Sequence, residues 1–205
     1  MKNSIPPDYL PREDETADAL FYQTPRLVEH IDTATIRALT QFYREQLPAG
    51  GDLLDLMSSW ISHLPAEVAY GRVAGLGMNR EELAANPRLA DVVVHDLNGD
   101  PVLPYADASF DAVLNVVSVQ YLTRPVEVFK EIARVLRPGG MHVVAMSHRL
   151  FPTKAIAAFR QLAPFQRVEL VTAYFAWAGG FAEAQFFDRS PPQADPLWIV
   201  VGRRL

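Results

Sequence analysis

Apolar and polar positions alternate along this chain in a rhythm that switches repeatedly between helix and strand. Ile36, Leu39, Phe42, Tyr43 and Leu47 recur at three- and four-residue steps, predicting a helix over residues 33–47 that Pro48-Ala49-Gly50-Gly51 stops. The run Leu53-Leu54-Asp55-Leu56 then reads as a first buried strand, and Val68 to Leu76 holds a second. Asn79 with Glu82 three residues on has the form of a capping box, opening a short helix that ends before Pro87. Ala90 to His95 is a third strand. Between 103 and 145 comes the most regular stretch: the loop Leu103-Pro104-Tyr105-Ala106-Asp107-Ala108-Ser109-Phe110-Asp111, a strand Ala112–Val117, a helix Pro125–Leu136, a turn at Pro138-Gly139-Gly140 and a strand Met141–Ala145. Loop, strand, helix, turn and strand form one right-handed crossover unit of a parallel sheet. Two further helices fill 152–178, up to Gly179-Gly180. Phe181–Phe187 and Leu197–Arg203 read as last strands. Residues 1–15, with Pro6, Pro7 and Pro11, are expected to form a loose arm.

Composition narrows the setting. The chain has 205 residues, 49% of them apolar, which suits one domain with a real core. A net charge of −5 with scattered Lys and Arg argues against a nucleic-acid substrate. The absence of cysteine excludes disulfides and thiolate metal sites. No stretch has the length of a membrane helix, and the polar N-terminus has no signal-peptide core, so a cytoplasmic protein is expected.

The loop ending in Ser109-Phe110-Asp111 and the segment Val135-Leu136-Arg137-Pro138-Gly139-Gly140 resemble class I S-adenosylmethionine-dependent methyltransferases. Leu54 to Pro65 with Gly75 to Asn79 is similar to a divergent, functionally unassigned branch of them. The resemblance implies an α/β fold: a Rossmann-like, seven-stranded, mostly parallel sheet with helices on both faces and a C-terminal antiparallel hairpin. Residues 1–47 become an N-terminal arm and lid or helical segment, and residues 48–205 the methyltransferase-like core. It also implies S-adenosylmethionine as cofactor, S-adenosylhomocysteine as product and a small-molecule acceptor, with no nucleic-acid or membrane partner; the oligomeric state is left open.

Ligands of an open parallel sheet lie beyond the carboxyl ends of its strands. At the first end Asp55 fits the family's acidic position, while Met57, Ser59 and Ile61 stand where the family has three glycines. Ser58 and Ser59 offer hydroxyls to the cofactor in exchange. At the second end Gly77 stands where the family carries the ribose-binding aspartate. Asn79 is either its substitute or the helix N-cap, and Met78 either faces the adenine or packs in the core. The third end, His95-Asp96-Leu97, matches the family: Asp96 would take the adenine amino group and the Leu97 amide would approach the ring, or Asp96 simply makes an Asx-turn. Val116 and Val117 would line the cofactor. Gln120 and Arg149 are candidate substrate contacts, and Tyr121, His148 and the lid residue Tyr22 candidate catalytic groups. His30 and Asp32 are metal-ligating types but only two, so no metal is expected.

Two functions follow. One is an enzyme performing in-line methyl transfer to a small molecule. The other is a non-catalytic protein of the same fold, a scaffold, regulator or other nucleoside binder, whose cofactor loop has degenerated.

Overall fold

The computed structural model describes residues 5–205; the first four residues of the expected arm lie outside them. Seven strands form one sheet: β1 (Leu53–Leu56), β2 (Val73–Gly77), β3 (Asp91–Val94), β4 (Phe110–Val116), β5 (Leu136–Met146), β6 (Gln185–Asp188) and β7 (Trp198–Arg203). Their order is β3-β2-β1-β4-β5-β7-β6. The pairs among β1 to β5 are parallel, and β7 runs antiparallel to both β5 and β6. The order therefore reverses between β1 and β4, which opens a crevice at their carboxyl ends.

Period-two alternation sends neighbouring residues of each strand into two cores. Leu54, Leu56, Val113 and Val144 face one side, where α4 (Pro125–Val135) and α6 (Pro164–Ala178) cover them. Leu53, Ala112, Leu114 and Val143 face the other, against Leu39, Phe42 and Tyr43 of α2 (Thr33–Gln46). Shorter helices complete the chain: α1 (Asp18–Phe21), α3 (Arg80–Ala85) and α5 (Ala157–Gln161). Helix α4 begins with Pro125 in its first turn, and near its end Arg134 donates to the carbonyls of Leu103 and Tyr105. The loop before β4 is thus tied to the helix that follows the strand. No helix among the described residues is long and apolar enough to cross a membrane.

Three local expectations are corrected. Strand β2 begins at Val73, since Gly71 donates to the Gly51 carbonyl and Arg72 accepts from the Leu53 amide ahead of the regular ladder. The Pro-Gly-Gly segment does not separate α4 from β5. The strand runs through it, with Gly139 at φ +79° and a register shift opposite Phe110–Ala112. Phe181 makes only an isolated bridge to Arg204, and the regular edge strand starts at Gln185.

The N-terminal segment also departs from the loose arm. Pro7–Tyr9 form a 3-10 turn, and Ile5, Tyr9 and Leu10 pack on the α4/α6 core. Backbone bonds from Asp14 to Thr153 and from Ala157 to Pro11 stitch the segment down. Lys154, fully buried, drives its ammonium among Asp14, Thr16 and Asp18. A buried lysine needs such partners, and they lie some 140 residues away in sequence, so local reading of the prolines missed them.

Candidate functional site

A cavity of about 300 Å³ opens at the carboxyl ends of β1 to β4. Its floor begins at Asp55, where both Ser58 and Ser62 donate hydroxyl hydrogen bonds to Oδ2 at 2.6 Å. Burial pushes this carboxyl up to about 6, while the two hydroxyls pull the other way. Asn86 donates to the Ser62 hydroxyl at 2.8 Å and to the Ser59 carbonyl at 3.0 Å. The loop after β1 is therefore a hydrogen-bonded shelf. Its entry residue, Met57, sits at φ +55°, a left-handed conformation that glycine adopts without strain and that other residues adopt at about 1–2 kcal/mol.

The shelf explains the missing acid of β2. The Ser58 amide donates to the Leu76 carbonyl at 2.8 Å, which lays the Ser58 backbone across the end of that strand. A Cβ on Gly77 would lie 2.3 Å from the Ser58 carbonyl oxygen. Nothing larger than glycine fits there without moving backbone.

A different carboxylate occupies this side of the cavity. Asn79 caps α3, its Oδ1 accepting from the Glu81 and Glu82 amides, so the N-cap reading describes its oxygen. Its amide nitrogen donates to the carbonyls of Tyr22 and Gln23, pinning the N-terminal segment. The capping box itself does not close. Glu82 turns away from the Asn79 amide, accepts from the Ser59 hydroxyl at 2.6 Å and from the Arg26 amide at 2.7 Å, and lines the cavity while 8% exposed. Sequence reading took Glu82 for a capping residue because the spacing fits one. Its real partners belong to the loop after β1 and the N-terminal segment.

At the third strand end Asp96 accepts from the Asn98 amide at 2.9 Å, an Asx-turn that leaves the carboxylate lining the cavity beside buried Leu97. Asn98 bridges outward, donating to Asp18 Oδ2 and to the Tyr121 carbonyl. At the fourth end Val117 takes φ +46°, a strained state for a β-branched residue. Gln120 holds this turn by donating to the Val117 carbonyl at 2.9 Å and the Arg149 carbonyl at 3.3 Å.

The mouth is aromatic. Phe151 stacks on Tyr121, with ring centroids 5.8 Å apart, and meets Phe21 and His30 edge-on. The Phe151 amide donates to the Tyr121 hydroxyl at 2.8 Å. Burial pushes the Tyr121 phenol up to about 12 and raises Tyr22 further, so both keep their protons at neutral pH. Burial lowers His30, favouring its neutral imidazole.

The cavity lies at the strand switch of a fold that several known proteins share. A family described as a methyltransferase domain matches residues 59–144. The fold is the one that solved S-adenosylmethionine-dependent methyltransferases share. Methyltransferase GfsG of Streptomyces halstedii is 29% identical over 157 residues, covering 67% of this chain; the chain spans 56% of that relative's length. Among solved structures, the [4+2]-cyclase SpnF is similar at 20% identity and TM-score 0.59, covering 82% of this chain and 80% of its own. A S-adenosylmethionine-dependent methyltransferase from Mesorhizobium loti gives 18% identity and TM-score 0.56, over 82% of this chain and 98% of its own. Phosphoethanolamine N-methyltransferase 2 of Haemonchus contortus, solved with S-adenosyl-L-methionine, gives 14% identity and TM-score 0.58, over 82% and 52%.

Within this methyltransferase fold, eleven of the expected residues surround the cavity from the sheet side: Asp55, Met57, Ser58, Ser59, Met78, Asn79, Asp96, Leu97, Val116, Val117 and Tyr121. Tyr22 and Arg149 join them from the N-terminal segment and the loop after β5. Two do not line it. Gln120 is buried bracing the Val117 turn, and His148 lies outside with its Nε2 3.0 Å from Asp195. Asp195 is the buried hub that also takes Arg149 and the amide of Asp32, the N-cap of α2. Sequence reading missed Glu82, Arg26 and Phe151, whose roles depend on distant partners. Asp18 was also missed; its signal was only an acidic residue at a helix start.

Proposed function

We propose that this protein transfers a methyl group from S-adenosylmethionine to a small-molecule acceptor. The observation carrying this reading is the cavity at the strand switch, lined by Asp96 and Leu97, by Asp55 and Glu82, and by an aromatic mouth. Its volume of about 300 Å³ lies at the lower bound of small-molecule sites. The donor set suits the cofactor: Asp96 for an adenine amino group, Glu82 in place of the carboxylate that Gly77 cannot carry, and Asp55 behind the loop serines. When bound, S-adenosylmethionine supplies an electrophilic methyl group to a nucleophilic oxygen, nitrogen or carbon.

The protein's own contribution is position and exclusion of water. Residues Tyr22, Arg26 and His30 of the N-terminal segment roof the cavity, supporting the lid assigned to residues 1–47. Tyr121 and Tyr22, protonated, serve as donors and packing surfaces rather than as bases. For an acceptor that must lose a proton, His30 at the aromatic mouth is the base we assign, because it lines the cavity and His148 does not. Incubating the protein with labelled S-adenosylmethionine and a metabolite extract tests the reading. A methylated product found by mass spectrometry together with S-adenosylhomocysteine supports it, and no product above a heat-inactivated control counts against it.

One observation favours a second reading: the Ser58 backbone seals the end of β2, and three glycine positions of the cofactor loop carry side chains. A nucleoside binder without methyl transfer would show cofactor affinity but no turnover in the same assay.

A further inference from the structure

Arg26 is a cation in a cavity lined by Asp18, Glu29, Asp55, Glu82 and Asp96, and its guanidinium pairs with none of them. Two arginines line the cavity. Arg149 is committed to Asp195, its Nε lying 3.0 Å from both carboxylate oxygens. Arg26 has no carboxylate within ion-pair distance among the described residues. Its guanidinium makes one hydrogen bond, from Nη1 to the Thr24 carbonyl at 3.3 Å. The group is nevertheless held in place. Its Cζ lies 4.3 Å from the Phe21 ring centroid and 5.5 Å from that of Phe151, and its own backbone amide is fixed on Glu82. A rigid, half-buried guanidinium with most of its five N–H donors unused is built to receive a planar anion in bidentate fashion.

We propose that Arg26 is the carboxylate-recognition residue of this cavity, contacting either the amino-acid end of the cofactor or a carboxylate on the acceptor. The proposal rests on the methyltransferase reading above. It also accounts for the N-terminal segment: an anion bound by Arg26 would hold closed the roof that Asn79 and Glu82 pin from below.

The test compares the wild type with Arg26→Gln and Arg26→Lys by calorimetric titration, after thermal melts show that each variant is folded. Three probes are used: S-adenosylhomocysteine, 5′-methylthioadenosine, which lacks the amino-acid carboxylate, and benzoate added to protein saturated with S-adenosylhomocysteine. Arg26→Gln weakening S-adenosylhomocysteine by about tenfold or more, the scale of a charge-assisted hydrogen bond, with methylthioadenosine unchanged, supports the cofactor's carboxylate as ligand. Arg26→Lys then recovers part of the loss. Unchanged nucleosides with loss of benzoate binding support the acceptor's carboxylate. Equal weakening of both nucleosides overturns the proposal, since it marks a general loss of the roof. Unchanged S-adenosylhomocysteine affinity without Arg26-dependent benzoate binding overturns it as well. A wild type that binds neither nucleoside overturns the underlying methyltransferase reading, and is recognised because the failure precedes any substitution.

Discussion

Restoring the family's acidic residue at position 77 should harm this protein, because the loop after β1 has taken its space. In Gly77→Ala the new Cβ would sit 2.3 Å from the Ser58 carbonyl oxygen, where ordinary contact begins at 3.4 Å, so one of two backbones must move by about 1 Å. Neither moves freely. Ser58 is held by its amide on Leu76 at 2.8 Å and by its hydroxyl on buried Asp55 at 2.6 Å, while β2 is paired on both sides, to β1 and β3. Overpacking at about 1–3 kcal/mol and one broken hydrogen bond at about 1 kcal/mol give a cost of roughly 2–4 kcal/mol. For a chain of this size that lowers the melting temperature by roughly 5–15 °C. Gly77→Asp costs at least as much and adds a charge to a cavity that Glu82 already lines, so it should not tighten S-adenosylhomocysteine binding. Thermal or urea denaturation of both variants, with calorimetric titration of the cofactor product, provides the check. A Gly77→Ala protein within about 0.5 kcal/mol of wild type, or a Gly77→Asp protein that binds more tightly, would refute the steric reasoning.

Two other outcomes are expected. His142 is fully buried among Phe129, Phe175 and Phe181 with neither ring nitrogen bonded, and burial lowers it to about 3. The unfolded chain takes up a proton below pH 6.5 and the folded chain does not, so stability is lost as pH falls, by up to about 1.4 kcal/mol per pH unit, or about 2 kcal/mol by pH 5. Urea unfolding of His142→Leu should show that part of the acid slope removed; parallel pH profiles would contradict it. Lys154→Met deletes the buried ammonium that holds Asp14, Thr16 and Asp18, and should cost about 3 kcal/mol. Hydrogen exchange over residues 12–22 should accelerate, and unchanged protection there would show that the clasp does not hold the segment.

The legible parts of the molecule were those decided by local pattern. Strand β1, helix α2, helix α4 and the N-cap at Asn79 each follow from a few adjacent residues, and their order along the chain carries the parallel sheet. The carboxyl-end rule then located the cavity, because topology alone fixes where the crevice opens. What stayed hidden depends on residues far apart in sequence. Glu82 has the spacing of a capping residue but bonds to Ser59 and Arg26. Lys154 sits unremarkably after a proline but closes the N-terminal clasp. His148 stands at a strand end but turns to Asp195, which no local pattern connects with it. Gly77 was visible as a departure from the family, yet its cause, the Ser58 carbonyl, required coordinates.

The most direct measurement is calorimetric titration of S-adenosylhomocysteine into the wild-type protein and into Asp96→Ala. A saturable one-to-one heat with an affinity on the order of micromolar, weakened about tenfold by loss of the Asp96 hydrogen bond, is expected of a cofactor site at these strand ends. No heat at high ligand concentration would contradict the cofactor assignment, and wild-type affinity in Asp96→Ala would remove the nucleoside from the end of β3.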